Sequence, residues 1–371
     1  MAVWHTQDLT ALTGASDAIG GSALTSYVWA DQKTLGVFYI STDGLIHDVS
    51  WDEKDGWDAE DPTKGIGAPT AIGDSALTSY IWPDQKTQHV FYLSENGHVH
   101  ELAWDDPKGW QTTDITASTK APAAVGDSAL TSYVWADQKT QHVFYLSNDG
   151  HVHELWWEAG KVWKTQDLTA AAEAPSAVRG SALTGYVWPD RETQHIFYLA
   201  NDGHVQTISW NEEDGWDTKD LTDAARAPIA VRGSALVSYV WEEQKTQGVL
   251  YLSSDGHIHD LSWDKKDGWG AEDPIALTNA PAAVGGSALT CYVWNDQRTQ
   301  HVFYLSANDH VHQLSWDEQH GWRHVGDLTA MTGAPKAVRG SALSGFVWSD
   351  HRTLHVFYLS EDDHIHEFWW G

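Results

Sequence analysis

Cysteine and methionine are almost absent from this 371-residue chain, which has one Cys and two Met. A single thiol, Cys291, permits no intrachain disulfide, so the fold does not depend on an oxidising compartment. Cys291 stands where similar segments carry Ser26, Ser79, Ser132 and Ser238, which suits a small buried side chain better than a nucleophile. Positive charge is scarce as well: 22 Lys and Arg face 52 Asp and Glu, for a formal net charge of −30. A phosphate backbone or an anionic bilayer would be repelled by such a surface, which argues against nucleic-acid binding. No apolar run approaches the roughly 20 residues of a spanning helix, so membrane insertion is not expected. The start of the chain, Met1 to Asp8, has neither the basic opening nor the apolar run of a signal peptide. The expectation is cytoplasmic production, with any extracellular action following release. No segment sustains a helical period.

Tryptophan, by contrast, is abundant at 23 residues, and the chain repeats itself. The tripeptide Ser-Ala-Leu begins at Ser22, Ser75, Ser128, Ser181, Ser234, Ser287 and Ser341, at intervals of 53 residues five times and 54 once. In the third copy, residues 129–135, 142–147, 151–157 and 163–169 are rich in β-branched and aromatic residues and predict four strands, punctuated by polar or Gly-containing turns. Four short strands per repeat, seven times over, predict an all-β seven-bladed β-propeller spanning residues 1–371 as one domain. A solenoid would need atypical capping repeats, and none appear. The last copy stops after its third strand at Trp369-Trp370-Gly371, while Val3 to Thr10 closely matches Val162 to Thr169. The N-terminal strand should therefore complete the seventh blade and remove two open edges.

The tryptophans fall on the repeat. First strands carry Trp29 and its six equivalents, third strands end on Trp51 and its equivalents, and fourth strands carry Trp4, Trp57, Trp110, Trp163, Trp216, Trp269 and Trp322. Large rings at every copy suit the space between blades. Trp156 and Trp369 break the pattern, because Ser50, Ala103, Ser209, Ser262 and Ser315 hold that position elsewhere.

A His at the start of the second strand and an acid twelve residues later recur as His89/Glu101, His142/Glu154 and His355/Glu367. The pair drifts to Gly36/Asp48, His195/Thr207, Gly248/Asp260 and His301/Gln313. Such variation argues for a position in contact with solvent. A three-residue hairpin loop would set His142 opposite Trp156 with Glu154 diagonal on the same face, and a two-residue loop would separate them. The sequence leaves that choice open. Carboxylate, imidazole and aromatic ring together suit a sugar, the first two for its hydroxyls and the ring for its C–H face. The outer-strand rings of these copies, Trp110, Trp163 and Trp4, complete the candidate set with Trp156 and Trp369.

The segment 140–157, Thr-Gln-His-Val-Phe-Tyr-Leu-Ser-Asn-Asp-Gly-His-Val-His-Glu-Leu-Trp-Trp, resembles the fucose-binding propeller lectins. Repeat length and copy number are most similar to the bacterial PLL-type lectins, seven-bladed relatives of the six-bladed Aleuria-type lectins. The resemblance implies that a strand-B Arg and a strand-C Glu grip fucose in an interblade pocket. The Glu carries over onto Glu101, Glu154 and Glu367, whereas His89, His142, His355 or Gly36 stands at the Arg position. It further implies fucosylated or O-methylated glycans as partners, and homo-oligomers.

His98/His100, His151/His153, His257/His259, His310/His312 and His364/His366 are i, i+2 pairs, each on one strand face. Without Cys or a third ligand at fixed spacing, no metal site is expected. No cofactor or catalytic residue is expected either, since the differences between copies are scattered and no Gly-rich phosphate loop occurs. The leading expectation is a multivalent lectin with as many as seven pockets. A scaffold for a protein partner is the alternative, and a glycosidase the third.

Overall fold

The computed structural model describes residues 3–73, 75–158 and 160–371. It contains seven four-stranded antiparallel sheets arranged as the blades of a propeller. Blade 3, numbered by its Ser-Ala-Leu copy, runs Leu130–Trp135, Thr140–Leu146, Val152–Glu158 and Lys164–Asp167 from the axis outward. Blade 7 consists of Leu343–Trp348, Thr353–Leu359 and Ile365–Trp370, and its outer strand is Trp4–Asp8. That strand pairs in the register Trp4↔Trp370 to Asp8↔His366, so the two ends of the chain close the ring. At the axis the inner strands of blades 1 and 7 meet, with Ser26 Oγ 2.7 Å from Ser344 Oγ.

The second strand of each blade reads Val-Phe-Tyr-Leu or close to it because both of its faces are covered. Val143 and Tyr145 turn toward blade 2 and pack with Phe91, Leu93 and Val99. Phe144 and Leu146 turn the other way and pack with Ile196, Tyr198 and Ile208 of blade 4. A strand buried on both faces reads as a continuous apolar run rather than an alternating one. The serine of Ser-Ala-Leu has a backbone task. Ser22 Oγ donates to Ala23 O at 2.9 Å and accepts from Ile40 N–H at 2.8 Å, joining the entry of the first strand to the end of the second. The same acceptance recurs in the other six blades.

The outer strand is shorter than expected. It ends at Asp167 rather than running to Thr169, and Leu168–Ala171 forms a one-turn helix. Asp167 caps that helix by accepting from Ala170 N–H, and Thr169 Oγ1 accepts from Val152 N–H at 2.9 Å. Asp and Thr here satisfy backbone donors that a further strand residue would have had to pair.

Candidate functional site

The hairpin between the second and third strands has a three-residue loop, because Ser147 N–H donates to His151 O at 3.0 Å and leaves residues 148–150 between them. This sets His142 opposite Trp156 and Phe144 opposite Glu154, so all four side chains share one face. The imidazole Nδ1 meets the acid at 2.8 Å in His89–Glu101, 2.7 Å in His142–Glu154 and 2.6 Å in His355–Glu367. Nε2 is held by a threonine two residues earlier, Thr87, Thr140 or Thr353. The pair lies within one blade and is buried: Glu101, Glu154 and Glu367 are 5%, 3% and 1% exposed. The expectation of solvent contact at this position therefore fails. The variation is tolerated for another reason, namely that it is coupled to neighbours.

That coupling is visible in blades 1 and 5. There Gly36 and Gly248 replace His, and the freed volume is filled by Tyr27 and Tyr239, whose hydroxyls donate to Asp48 at 2.8 Å and Asp260 at 3.0 Å. A Cβ on Gly248 would lie 2.6 Å from the Tyr239 ring. In blades 2, 3 and 4, where His is present, the equivalent tyrosine reaches the next blade instead, as Tyr133 does to Gln194 at 2.7 Å. In blade 6 the next blade offers Leu354 in place of the glutamine, and the Tyr292 hydroxyl has no partner among the described residues. Blade 7 has Phe346 for the tyrosine, and blade 1 has Leu35 for the glutamine, so donor and acceptor are lost together.

Each gap between blades is walled by tryptophan. The inner-strand ring of one blade meets the third-strand ring of the next edge-on in all seven gaps, with centroids 5.6–6.1 Å apart. Among the described residues, the indole N–H groups of Trp29, Trp188, Trp241, Trp294 and Trp348 are buried without a partner. Cavities open onto these walls. One of about 350 Å³ between blades 7 and 1 is lined by Thr353, His355, Glu367, Trp369, Trp348 and, from blade 1, Trp51 and Trp57. Another of about 620 Å³ between blades 2 and 3 is lined by His89, Glu101, Ala103, Trp157 and Trp163, among others. The first is smaller, with Trp369 where the second has Ala103. Trp369 also stacks on His5 at 4.2 Å, and Trp156 has Lys164 Nζ 5.7 Å from its ring.

The outer-strand tryptophans belong one gap earlier than their copy number implies. Trp163 of blade 3 joins His89 and Glu101 of blade 2. Trp110 does not reach its own blade's pair and lies 6.0 Å from Phe38 of blade 1. Trp4 likewise faces Phe303 of blade 6 at 6.0 Å, away from His355 and Glu367. The cause is parity. Trp104 pairs with Trp110 while Glu101 pairs with Thr113, an odd offset that puts the rings and the acid on opposite faces.

The gaps without the acid differ electrically. His195 of blade 4 stands opposite Ser209 with Thr207 at the acid position beside it, and burial, then the charge of Arg191, pushes its pKa down to about 4. His301 of blade 6 accepts from Gln313 Nε2 at 2.9 Å in one tautomer and is likewise pushed down to about 4, by burial and then by Arg323. Sequence reasoning passed over the turn between the first two strands, although it reaches the gaps. Gln85 and His351 line the two larger cavities, and the equivalent Arg191 lies 4.5 Å from Trp188 and 4.6 Å from Trp263. The signal was present as an Arg and a His at a turn position that is Gln in the other copies.

The histidine pairs prove to have a carboxylate beside them after all. Ligand atoms of His98, His100 and Asp114, and of Asp8, His364 and His366, lie within 4.8 Å of one another. Asp114 is already engaged, accepting from His98 Nδ1 at 2.8 Å and capping Ala117 N–H at 2.8 Å. The cluster thus anchors the one-turn helix to its hairpin. Burial pushes the Cys291 thiol up, as an unreactive side chain requires.

The family model described as fungal fucose-specific lectin matches residues 21–194 and 181–371. The chain belongs to this lectin family. The resemblance read from residues 140–157 therefore holds, with the seven blades of the PLL type. No curated protein sequence matches the chain. Among solved structures, the BP39L lectin of Burkholderia pseudomallei is similar with a TM-score of 0.72 at 15% identity, over 95% of this chain and 98% of that one. The Aleuria aurantia lectin, a six-bladed β-propeller with fucose recognition, aligns with a TM-score of 0.60 at 16% identity, over 86% and 99%. AofleA of Arthrobotrys oligospora aligns at 0.59 and 16%, over 87% and 88%. At such identities these structures testify to the fold.

Proposed function

We propose that this lectin binds fucose and related, including O-methylated, monosaccharides in the gaps that keep the His–Glu pair. These are the gaps following blades 2, 3 and 7. The observation that carries the proposal is the cavity between blades 7 and 1, where a buried carboxylate oriented by imidazole faces an indole wall. In that arrangement Glu367 accepts from vicinal hydroxyls, the unpartnered Trp348 N–H donates to a sugar oxygen, and Trp51, Trp57 and Trp369 offer apolar faces. His89, Glu101 and Trp163 serve between blades 2 and 3. His142, Glu154 and Trp156 serve between blades 3 and 4, where Trp216 packs. Fucosylated glycans are the partners, and several weak sites on one ring, multiplied in a homo-oligomer, give avidity on a glycan-bearing surface. The role is binding rather than turnover.

Glycan-array binding that free L-fucose abolishes is the expected result, with no release of aryl alcohol from aryl fucosides. Glu154→Gln should empty one pocket and leave the others filled, since loss of a charge-assisted hydrogen bond lowers affinity about tenfold or more. Array binding indifferent to every free monosaccharide would favour a protein scaffold and overturn the proposal.

A further inference from the structure

Blades 1 and 5 depart from the other copies at three positions and in the direction of one shared tyrosine. Each has Gly for His, Asp for Glu, a tyrosine turned onto that Asp, and a second acid paired across to the outer strand. Asp48 pairs with Glu60, and Asp260 with Glu272. Elsewhere the outer-strand position holds Thr113, Gln166, Lys219, Gly326 or Gln7. In the His–Glu gaps an imidazole of the protein itself stands against the buried carboxylate. In the Gly–Asp gaps the side-chain donor is a neutral phenol, and a second carboxylate lies alongside. A buried carboxylate without a cation is costly, and the cost is relieved by a positive ligand.

Between blades 5 and 6 these groups line a cavity of about 160 Å³, with Tyr239, Trp241, Gln244, Gln300 and Trp316 around Asp260 and Glu272. Glu272 is exposed at its mouth and accepts from Trp322 Nε1 at 2.9 Å. Trp241 is 2% exposed and Gln300 3%, yet Trp241 Nε1 and Gln300 Nε2 have no partner. Between blades 1 and 2 the corresponding Trp29 Nε1 and Gln88 Nε2 are unpartnered, and so is the buried Asp48 Oδ1. The matching indole pair in the neighbouring gap already holds a cation, since the Arg191 guanidinium lies 4.5 Å from Trp188 and 4.6 Å from Trp263. Blade 4 has Thr207 in place of an acid and supplies its own cation. Blade 5 has two acids and Gln244 at the Arg191 position, so it supplies no cation of its own. Burial, and then the charge of Glu272, push the Asp260 carboxyl up to about 7 against the lowering effect of the Tyr239 hydrogen bond, so a cation placed beside it would draw the proton off.

We propose that the gap between blades 5 and 6, and its counterpart between blades 1 and 2, form a second class of site that takes a sugar carrying a protonated amine. The ammonium sits between Asp260 and Glu272, or Asp48 and Glu60, and the ring edge lies against the indole wall, where a cation also gains from the π-face. A metal ion fits less well, because two carboxylates beside indole and amide groups offer too few oxygen ligands. The assignment rests on the reading of the interblade gaps as sugar sites.

The test is calorimetric titration of the whole chain with D-glucosamine and D-galactosamine, alongside their N-acetyl forms and L-fucose. The amines are expected to bind at least about tenfold more tightly than the acetylated sugars, a typical value for one charge-assisted hydrogen bond. The double variant Glu60→Gln/Glu272→Gln should lose that preference while keeping L-fucose binding. Both residues are exposed, so the variant is expected to fold, and an unchanged melting curve checks this. Two fewer carboxylates move the formal net charge only from −30 to −28, so a diffuse attraction of amines would survive the change. Retained fucose binding with no preference for amines overturns this proposal alone, as does a preference that the double variant keeps. Absence of binding by every sugar overturns the lectin sites themselves.

Discussion

Removing residues 3–13 should open the ring, and the structure sets the scale of the damage. The deletion takes away the outer strand of blade 7, which pairs at five positions with the Ile365–Trp370 strand, and the one-turn helix Leu9–Thr13 behind it. Leu9 is fully buried, and burial of a leucine stabilises by about 1.5–3 kcal/mol. Ile365 N–H, which donates to Thr10 Oγ1 at 2.9 Å, loses its acceptor. A buried donor left unpaired costs about 1–3 kcal/mol. Glu367, 1% exposed, loses the Gln7 amide that donates to it at 2.5 Å, and His364 loses Asp8. Together these losses reach the lower end of the roughly 5–15 kcal/mol that stabilises a whole domain. The truncated chain should melt about 5–10 °C lower or more by scanning calorimetry. Its third-strand tryptophans in blade 7 should emit further to the red, and a peptide of residues 1–14 added in trans should reverse both effects. A truncated chain with the full-length melting temperature would refute the closure argument.

Three further outcomes follow from local geometry. Gly248→His places a Cβ 2.6 Å from the Tyr239 ring and should cost about 1–3 kcal/mol in urea unfolding. Adding Asp260→Glu should recover part of it by turning Tyr239 toward Gln300, and a single variant as stable as the parent would break the proposed coupling. Asp260→Asn should stabilise the protein above pH 7. The folded carboxyl titrates at about 7 against an ordinary value of 3.8, so the native state holds the extra proton between those values. The stability linked to that proton is complete below about pH 4 and lost as pH rises to 7, at most about 4 kcal/mol, and a gain independent of pH would contradict this. Ser341→Ala should lower stability by about 1–3 kcal/mol, because Leu359 N–H donates to the fully buried Ser341 Oγ at 2.8 Å. Ser22→Ala should match it, and a clear inequality between the two would show that the blades do not share this joint.

Much of the architecture could be read because a propeller writes its repeat directly into the chain. The Ser-Ala-Leu period counts the blades, turns such as Asn148-Asp-Gly150 mark the hairpins, and the likeness of Val3–Thr10 to Val162–Thr169 identifies the closing strand. These are local or periodic features, legible without knowing which residues meet across space. The extent of the outer strand was harder, because Leu168–Ala171 is too short to show a helical period and is held by the Asp167 cap.

The composition of the sites was decided by tertiary structure. The twelve-residue spacing singled out His142 and Glu154, but the three-residue loop put them on one face, and packing between blades left them only 6% and 3% exposed. Gly36 and Gly248 read in sequence only as drift from His, yet they leave the space that Tyr27 and Tyr239 fill. The assignment of tryptophans to pockets depended on which face of a sheet each ring occupies. Strand alternation sends Glu101 toward blade 3 and Trp110 toward blade 1, so each interblade gap is lined by two repeats. A repeat sequence reports what each blade contains; only the packed ring determines which halves of neighbouring blades face each other.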